Sequence, residues 1–200
     1  MADAVLEPRP LPVGGAIGRT GVGWWGLLCF LATEASLFGY LIFSYTYIAV
    51  QIDPAAAAQA RLSFTFALPM TIVVIASSAV LYLAERAIAA NRKGQLLVAL
   101  VVVLAFSITF VALEAFEWKS LRFTLTSNAL GSAYFVTTGT HLAHFVLGIV
   151  ATVFAIVWVV LGYFDAVHKS PLLILFDYWH FVHAVWGVIF IALYIVPYLG

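Results

Sequence analysis

Five long apolar stretches run through the chain, and short segments between them gather most of the polar residues. The stretches predict helices over about 24–47, 63–88, 95–118, 131–162 and 172–198. Each is long enough to cross a hydrocarbon layer of about 30 Å at 1.5 Å rise per residue. The pattern therefore predicts an all-α integral membrane protein, a bundle of five transmembrane helices in one domain over 24–200. Met1–Gly23 reads as a mobile tail, with Pro8, Pro10, Pro12 and five glycines. It has no apolar h-region, so the first span is expected to direct insertion itself. Gln51–Leu62 and Lys119–Leu130 read as connectors, Arg86–Gly94 as a basic turn, and Tyr163–Pro171 as a polar turn holding His168. Pro69 is expected to kink the second span. The pair Ser77–Ser78 would let a neighbouring helix approach closely.

Composition agrees with that reading. Of the 200 residues, 64% are hydrophobic and 9% charged, and the mean hydropathy is +1.09. Soluble domains carry about 25% charged residues. A net charge of +0 gives no reason to expect nucleic acid as a partner. The single cysteine, Cys29, reads as a small buried hydrophobe. Arg9, Arg19, Arg86, Arg92, Lys93 and Lys169 fall on one side of a five-span chain, and Arg61, Lys119 and Arg122 on the other. This bias puts the N-terminus in the cytoplasm and the C-terminus outside. Trp24, Trp25, Trp118, Tyr163 and Tyr198 lie near span ends, where interfacial aromatic belts form.

Ionisable groups at membrane depth are costly, and they usually face the bundle interior or mark function. The fourth span carries His141 and His144, the fifth His180 and His183, the first Glu34, and the third Glu114 and Glu117. Counting ~1.5 Å per residue puts Glu34 near the midplane and His144 roughly 4 Å outward of it. His141 and Glu114 share an outer level, Glu117 lies nearer the surface, and His183 a few Å inward. His180 lies one turn deeper. Two groupings are then geometrically open: a central one of Glu34, His144 and His183, and an outer one of Glu114, Glu117 and His141. The plainer reading of each is a satisfied hydrogen bond that holds helices together. The His-x-x-His and Glu-x-x-Glu spacings also suit metal ligation, or bis-histidine haem ligation. However, His141 and His180 fall in opposite membrane halves. There is no phosphate loop, CxxC, nucleophile elbow or HExxH, so no catalytic site can be read.

Five segments together resemble subunit III of the haem-copper respiratory oxidases. They are ATEASLF (32–38), LPMTIVVIASS (68–78), LEAFEW (113–118), TTGTHLAHFVLG (137–148) and YWHFVHAVW (178–186). The resemblance covers 24–200, in the family's order, and is to its five-span form, which lacks the first two helices. It places the family's intramembrane glutamate on Glu34 and its characteristic third-helix glutamate on Glu117. Thr138, Gly139, His141, His144 and Gly148 fall on its TGxHxxHxxxG pattern, and Trp179, His180 and Trp186 on its WHFxDxxW pattern. His183 stands where the family commonly has aspartate, and Met70 where asparagine is frequent.

The resemblance implies a non-catalytic subunit of a terminal oxidase in the bacterial plasma membrane. Haem and copper would belong to partner subunits I and II. This chain would bind none of them, would hold phospholipid between its helices, and would support proton uptake and lasting turnover of subunit I. The resemblance extends to relatives of subunit III associated with nitric oxide reductases. An independent bundle binding haem or metal is the reading of a different class; it would colour the purified chain by itself.

Overall fold

The computed structural model describes residues 22–52, 62–164 and 169–198. The tail reading for residues 1–21, residues 53–61 of the Gln51–Leu62 connector with Arg61, and His168 lie outside the described residues. Five helices are long and apolar enough to cross a membrane. They are α1 (Val22–Ala49), α2 (Phe64–Ala89), α3 (Lys93–Ser120), α4 (Ala129–Val160) and α5 (Ser170–Phe190). A π-helical turn, Ile191–Ile195, and a 3-10 turn, Val196–Tyr198, extend α5 to the end of the described chain. No strand occurs among the described residues.

The helix ends follow from local chemistry. Ser63 caps α2 by accepting from the Thr65 amide at 3.2 Å, and Asn128 caps α4 by accepting from Gly131 at 2.7 Å. Pro171 sits in the first turn of α5, where no intrahelical N–H is needed. The α2–α3 turn is tighter than the basic Arg86–Gly94 segment expected from sequence. Arg86 is still helical, and only Ala90–Arg92 lie outside the two helices. Asn91 adopts φ 54°, while the Arg92 amide donates to Ala87 O at 2.8 Å and the Asn91 amide to Ile88 O at 3.1 Å. That is a Schellman motif, with Asn tolerating the left-handed position. Gly162, at φ 81°, ends α4 the same way, with Tyr163 donating to Trp158 O at 3.0 Å.

The most deeply packed helix is α5. It lies against α1, α2 and α4, while α3 closes the bundle between α2 and α4. Trp179, Trp186 and Phe176 of α5 are fully buried. Two of its indoles tie it to its neighbours. Trp179 Nε1 donates to Thr152 Oγ1 of α4 at 2.9 Å, and Trp186 Nε1 to Thr71 Oγ1 of α2 at 3.1 Å. A third indole does the same between α3 and α4, Trp118 Nε1 donating to Thr138 Oγ1 at 3.1 Å. Each accepting threonine donates its own hydroxyl to the carbonyl four residues earlier, at Gly148, Ala67 and Tyr134. Trp118, near the end of α3 where the sequence put it, is thus also an interhelical tie. Trp25, with 60% of its surface exposed, stays on the outside.

By contrast, α1 covers the bundle with one narrow face. Phe38 and Tyr45 are buried, whereas Tyr40, Phe43 and Tyr47 are exposed. Cys29, expected to be buried, is exposed as well. Lipid takes a weakly polar thiol as readily as a protein core does. Because α1 touches neighbours along one stripe only, the position falls outward.

Gly148 decides how closely α4 and α5 approach. A Cβ there would lie 2.7 Å from Trp179 Cζ2, inside a ring that is fully buried. At Gly139 the nearest atom, on Trp118, would be 3.7 Å away, an ordinary contact. Gly148→Ala should therefore destabilise the fold by roughly 1–3 kcal/mol through overpacking. Gly139→Ala should be tolerated. Thermal unfolding of the two variants in one detergent checks this, and equal midpoints would refute the packing role.

Candidate functional site

The intramembrane carboxylate Glu34 lies on α1, half-buried, with its side chain turned to α4. Its Oε2 is 3.0 Å from His144 Nε2, and the two side chains are 17% and 12% exposed. His144 Nδ1 is 2.8 Å from the Thr140 carbonyl. A carbonyl can only accept, so Nδ1 carries a proton. One further proton lies on the line between Nε2 and Oε2. Either a protonated Glu34 donates to a neutral imidazole, or an imidazolium donates to a carboxylate. Both arrangements are net neutral, which is what a site at membrane depth requires. Tyr178 of α5 closes the group by donating its hydroxyl to the His144 carbonyl at 2.9 Å. Phe38 packs edge-on to His144, with ring centroids 5.1 Å apart. The side chains of α1 and α4 thus meet at the edge of the bundle, with α5 braced against the α4 backbone beside them.

His183, grouped with Glu34 and His144 on depth alone, has a different partner. Its Nδ1 lies 2.8 Å from Ser78 Oγ of α2, and its Nε2 finds no hydrogen-bond partner among the described residues. His180, one turn earlier, is half-buried on the same helix. The structure thus joins two of the three members of the central grouping, and ties the third to the small-residue pair of α2.

The outer grouping divides in a similar way. His141 is buried within four rings, Phe38, Phe110, Phe145 and Trp186, with centroids 5.1 to 6.1 Å away. Its Nε2 donates to the Val182 carbonyl of α5 at 3.2 Å. It bonds to neither carboxylate. Glu117 instead accepts from the Tyr194 hydroxyl at 2.8 Å, and Tyr134 Oη lies 3.5 Å from Tyr194 Oη. The π-helical turn carries Tyr194 to that position. Neither oxygen of Glu114 has a hydrogen-bond partner among the described residues, though the residue is only 1% exposed. Trp118 and Thr138 flank it but bond to each other.

Sequence reasoning, which followed ionisable residues, missed Tyr178, Tyr134, Tyr194, Thr71 and Thr152. A usable signal existed, since hydroxyls within apolar spans must also find partners. Chemically, the Glu34–His144 pair can hold a proton and shift it between oxygen and nitrogen. Among the described residues no three histidine, cysteine, aspartate or glutamate side chains converge as a metal ligand set.

Comparison with known proteins matches residues 18–198 to the family model described as Cytochrome c oxidase subunit III. Individual relatives carry the name Cytochrome c oxidase subunit 3. The one from Pylaiella littoralis is 31% identical over 124 residues, covering 62% of this chain and 46% of its own. That from Spodoptera frugiperda is 29% identical over 131 residues, covering 64% of this chain and 89% of its own. That from Prototheca wickerhamii is 25% identical over 177 residues, covering 85% and 68%. This chain spans about half the length of the first of these relatives.

The tyrosine–carboxyl contact gives a direct test. Removing the donor in Tyr194→Phe leaves Glu117 buried without its bond, a cost of about 1–3 kcal/mol. Tyr134→Phe removes only the longer hydroxyl contact and should cost less. Thermal unfolding of both variants checks the order, and a Tyr194→Phe protein as stable as wild type would refute the assignment.

Proposed function

Because the chain belongs to the cytochrome c oxidase subunit III family, we propose that it serves as the non-catalytic subunit III of a haem-copper terminal oxidase in aerobic respiration. The observation that carries this reading is the family match over 18–198, which takes in all five membrane-spanning helices. The names of the relatives favour an oxidase over a nitric oxide reductase. In this reading subunits I and II hold the haem and copper, and the chain contacts subunit I directly. Its membrane is the bacterial plasma membrane. The tail and the two turns on its side face the cytoplasm, as the bias of Lys and Arg indicates.

The geometry supports a supporting role over a catalytic one. Helix–helix contacts occupy His141, His144, His183 and Glu117. What stays near the surface is the Glu34–His144 pair, on the helix with the most outward-facing side chains. Ala32, Ser36 and Gly39 are exposed on that helix, and a Cβ at Gly39 would meet nothing within 4 Å. Such positions allow close approach of another membrane helix or of lipid chains. A carboxyl with a shared proton beside a proton-translocating partner can influence local proton affinity without taking part in oxygen chemistry.

Restoring this chain to membranes that lack it tests the reading. Oxygen consumption should start near its normal rate without the chain and decay during sustained turnover; wild-type chain should slow that decay. Glu34→Ala should assemble yet protect severalfold less well, and Glu34→Gln, which can still bond to His144, should fall between. A decay curve that does not depend on the chain would refute the supporting role. Equal protection by all three versions would make the carboxyl merely structural.

A further inference from the structure

Glu114 lies on α3 roughly 9 Å before the helix ends at Ser120, counting 1.5 Å per residue. It is 1% exposed, and among the described residues neither carboxyl oxygen has a hydrogen-bond partner. No lysine, arginine or histidine among them forms an ion pair with it. A carboxylate so placed would lack every donor that a buried charge needs, whereas the acid form leaves only a neutral group short of a bond. The arrangement therefore suits Glu114 as the neutral acid. No cation faces it from the elements packed around it. Its own helix offers Glu117, which is already bonded to Tyr194 of the π-helical turn. From α4 comes Tyr134, with Tyr45 of α1 beside it, while His141 is turned to the Val182 carbonyl. The ionisable residues of α2, Tyr82, Glu85 and Arg86, lie toward the other end of the bundle.

Two donors stand beside this carboxyl and are engaged with each other. Trp118 lies one turn on, on the same face of α3, and Thr138 meets it from α4. Trp118 Nε1 donates to Thr138 Oγ1 at 3.1 Å, and that hydroxyl donates to the Tyr134 carbonyl at 3.1 Å. Thr71 and Thr152, which accept from the other two indoles, donate to their own helix carbonyls at 2.8 Å. The hydroxyl next to Glu114 is thus the one held least closely by its helix. The indole also has room to turn. It is only partly buried, and Gly139 sets no side chain against it. A Cβ at that glycine would lie 3.7 Å from the ring. Phe135 meets the indole edge-on, with centroids 5.5 Å apart.

We propose that Glu114 is a proton-binding site whose occupancy sets the α3–α4 crossing through the Trp118–Thr138 bond. With the proton bound, indole and hydroxyl bond to each other, as the structure shows. With the proton released to solvent at the nearby end of α3, the carboxylate carries one negative charge and takes both donors, and their mutual bond opens. The exchange is favourable to the charged form because hydrogen bonds to a carboxylate are about twice as strong as those between neutral groups. Opening removes a tie between α3 and α4 at that level, so one proton is converted into a change of helix contact. The site is separate from the Glu34–His144 pair, which joins α1 to α4 and shares no residue with it. The inference does not depend on the oxidase role, since it concerns the chain's own residues.

The test uses the full chain in its native membrane assembly, with a fluorinated tryptophan placed at position 118. Fluorine NMR follows that indole as the pH is raised from neutral to the alkaline limit of the assembly's stability. In the otherwise wild-type chain the resonance should move between two positions in a single titration. Glu114→Gln keeps the side chain's size but cannot ionise, so it should hold the resonance at its low-pH position throughout. Glu117→Gln should leave a titration in place, which assigns the proton to position 114. In parallel, the infrared spectrum of wild type minus Glu114→Gln should contain an acid carbonyl band that disappears over the same pH range. A resonance that stays fixed with pH in the wild-type background would overturn the proposal, and that measurement stands even if a variant fails to fold. So would an equal titration in Glu114→Gln, or carboxylate bands in place of the acid band at neutral pH.

Discussion

A bilayer offers a polar group no hydrogen bond, and two apolar helices gain little hydrophobic energy by leaving lipid for each other. Every specific contact in this protein is shaped by that constraint. The helices are held in register by polar atoms that need one another and by the few places where a small residue lets a ring approach. The indole–threonine ties between α5 and α4, α5 and α2, and α3 and α4 are the clearest case. Each threonine is satisfied twice, by the indole and by its own helix, so no hydroxyl is left exposed to hydrocarbon. Gly148 sits beneath one of these ties, and its missing side chain is the space Trp179 occupies. Polar bond and close approach therefore specify the same crossing.

The same constraint separates the ionisable groups into two kinds. His141, His183 and Glu117 are held inside the bundle by a carbonyl, a serine and a tyrosine. Each of these bonds joins two elements of the bundle. Glu34 and His144 form the other kind, mostly covered but reaching the edge of the bundle between α1 and α4, with a tyrosine from α5 as support. α1 lies at the edge of the bundle, with open space at Gly26 and Gly39 and an exposed cysteine, and is the span least covered by its neighbours.

Much of this could be read in the sequence. The five spans follow from apolar length, and counting depth along the helices puts Glu34 and His144 at levels where they could meet. What could not be read is rotation. A helix apolar all round does not reveal which face meets which neighbour. Depth therefore grouped His183 with Glu34, although the rotation of α5 turns it to Ser78. The same ambiguity assigned Cys29 to the interior. The α2–α3 turn was drawn too long because Asn91 was not recognised as a left-handed cap. Tyr194 reaches Glu117 through a π-helical turn that no hydropathy pattern announces.

The central claim is that this chain uses its buried polar groups to hold helices together and leaves redox chemistry to partners. It is tested most directly by the visible spectrum of the complex purified gently through a tag on this chain, followed by the spectrum of the chain after dissociation. The account predicts haem bands in the complex, together with a co-purifying large haem-binding subunit, and a colourless chain once separated. Haem bands that stay with the isolated chain would contradict it, because the histidines would then be ligands and not interhelical ties.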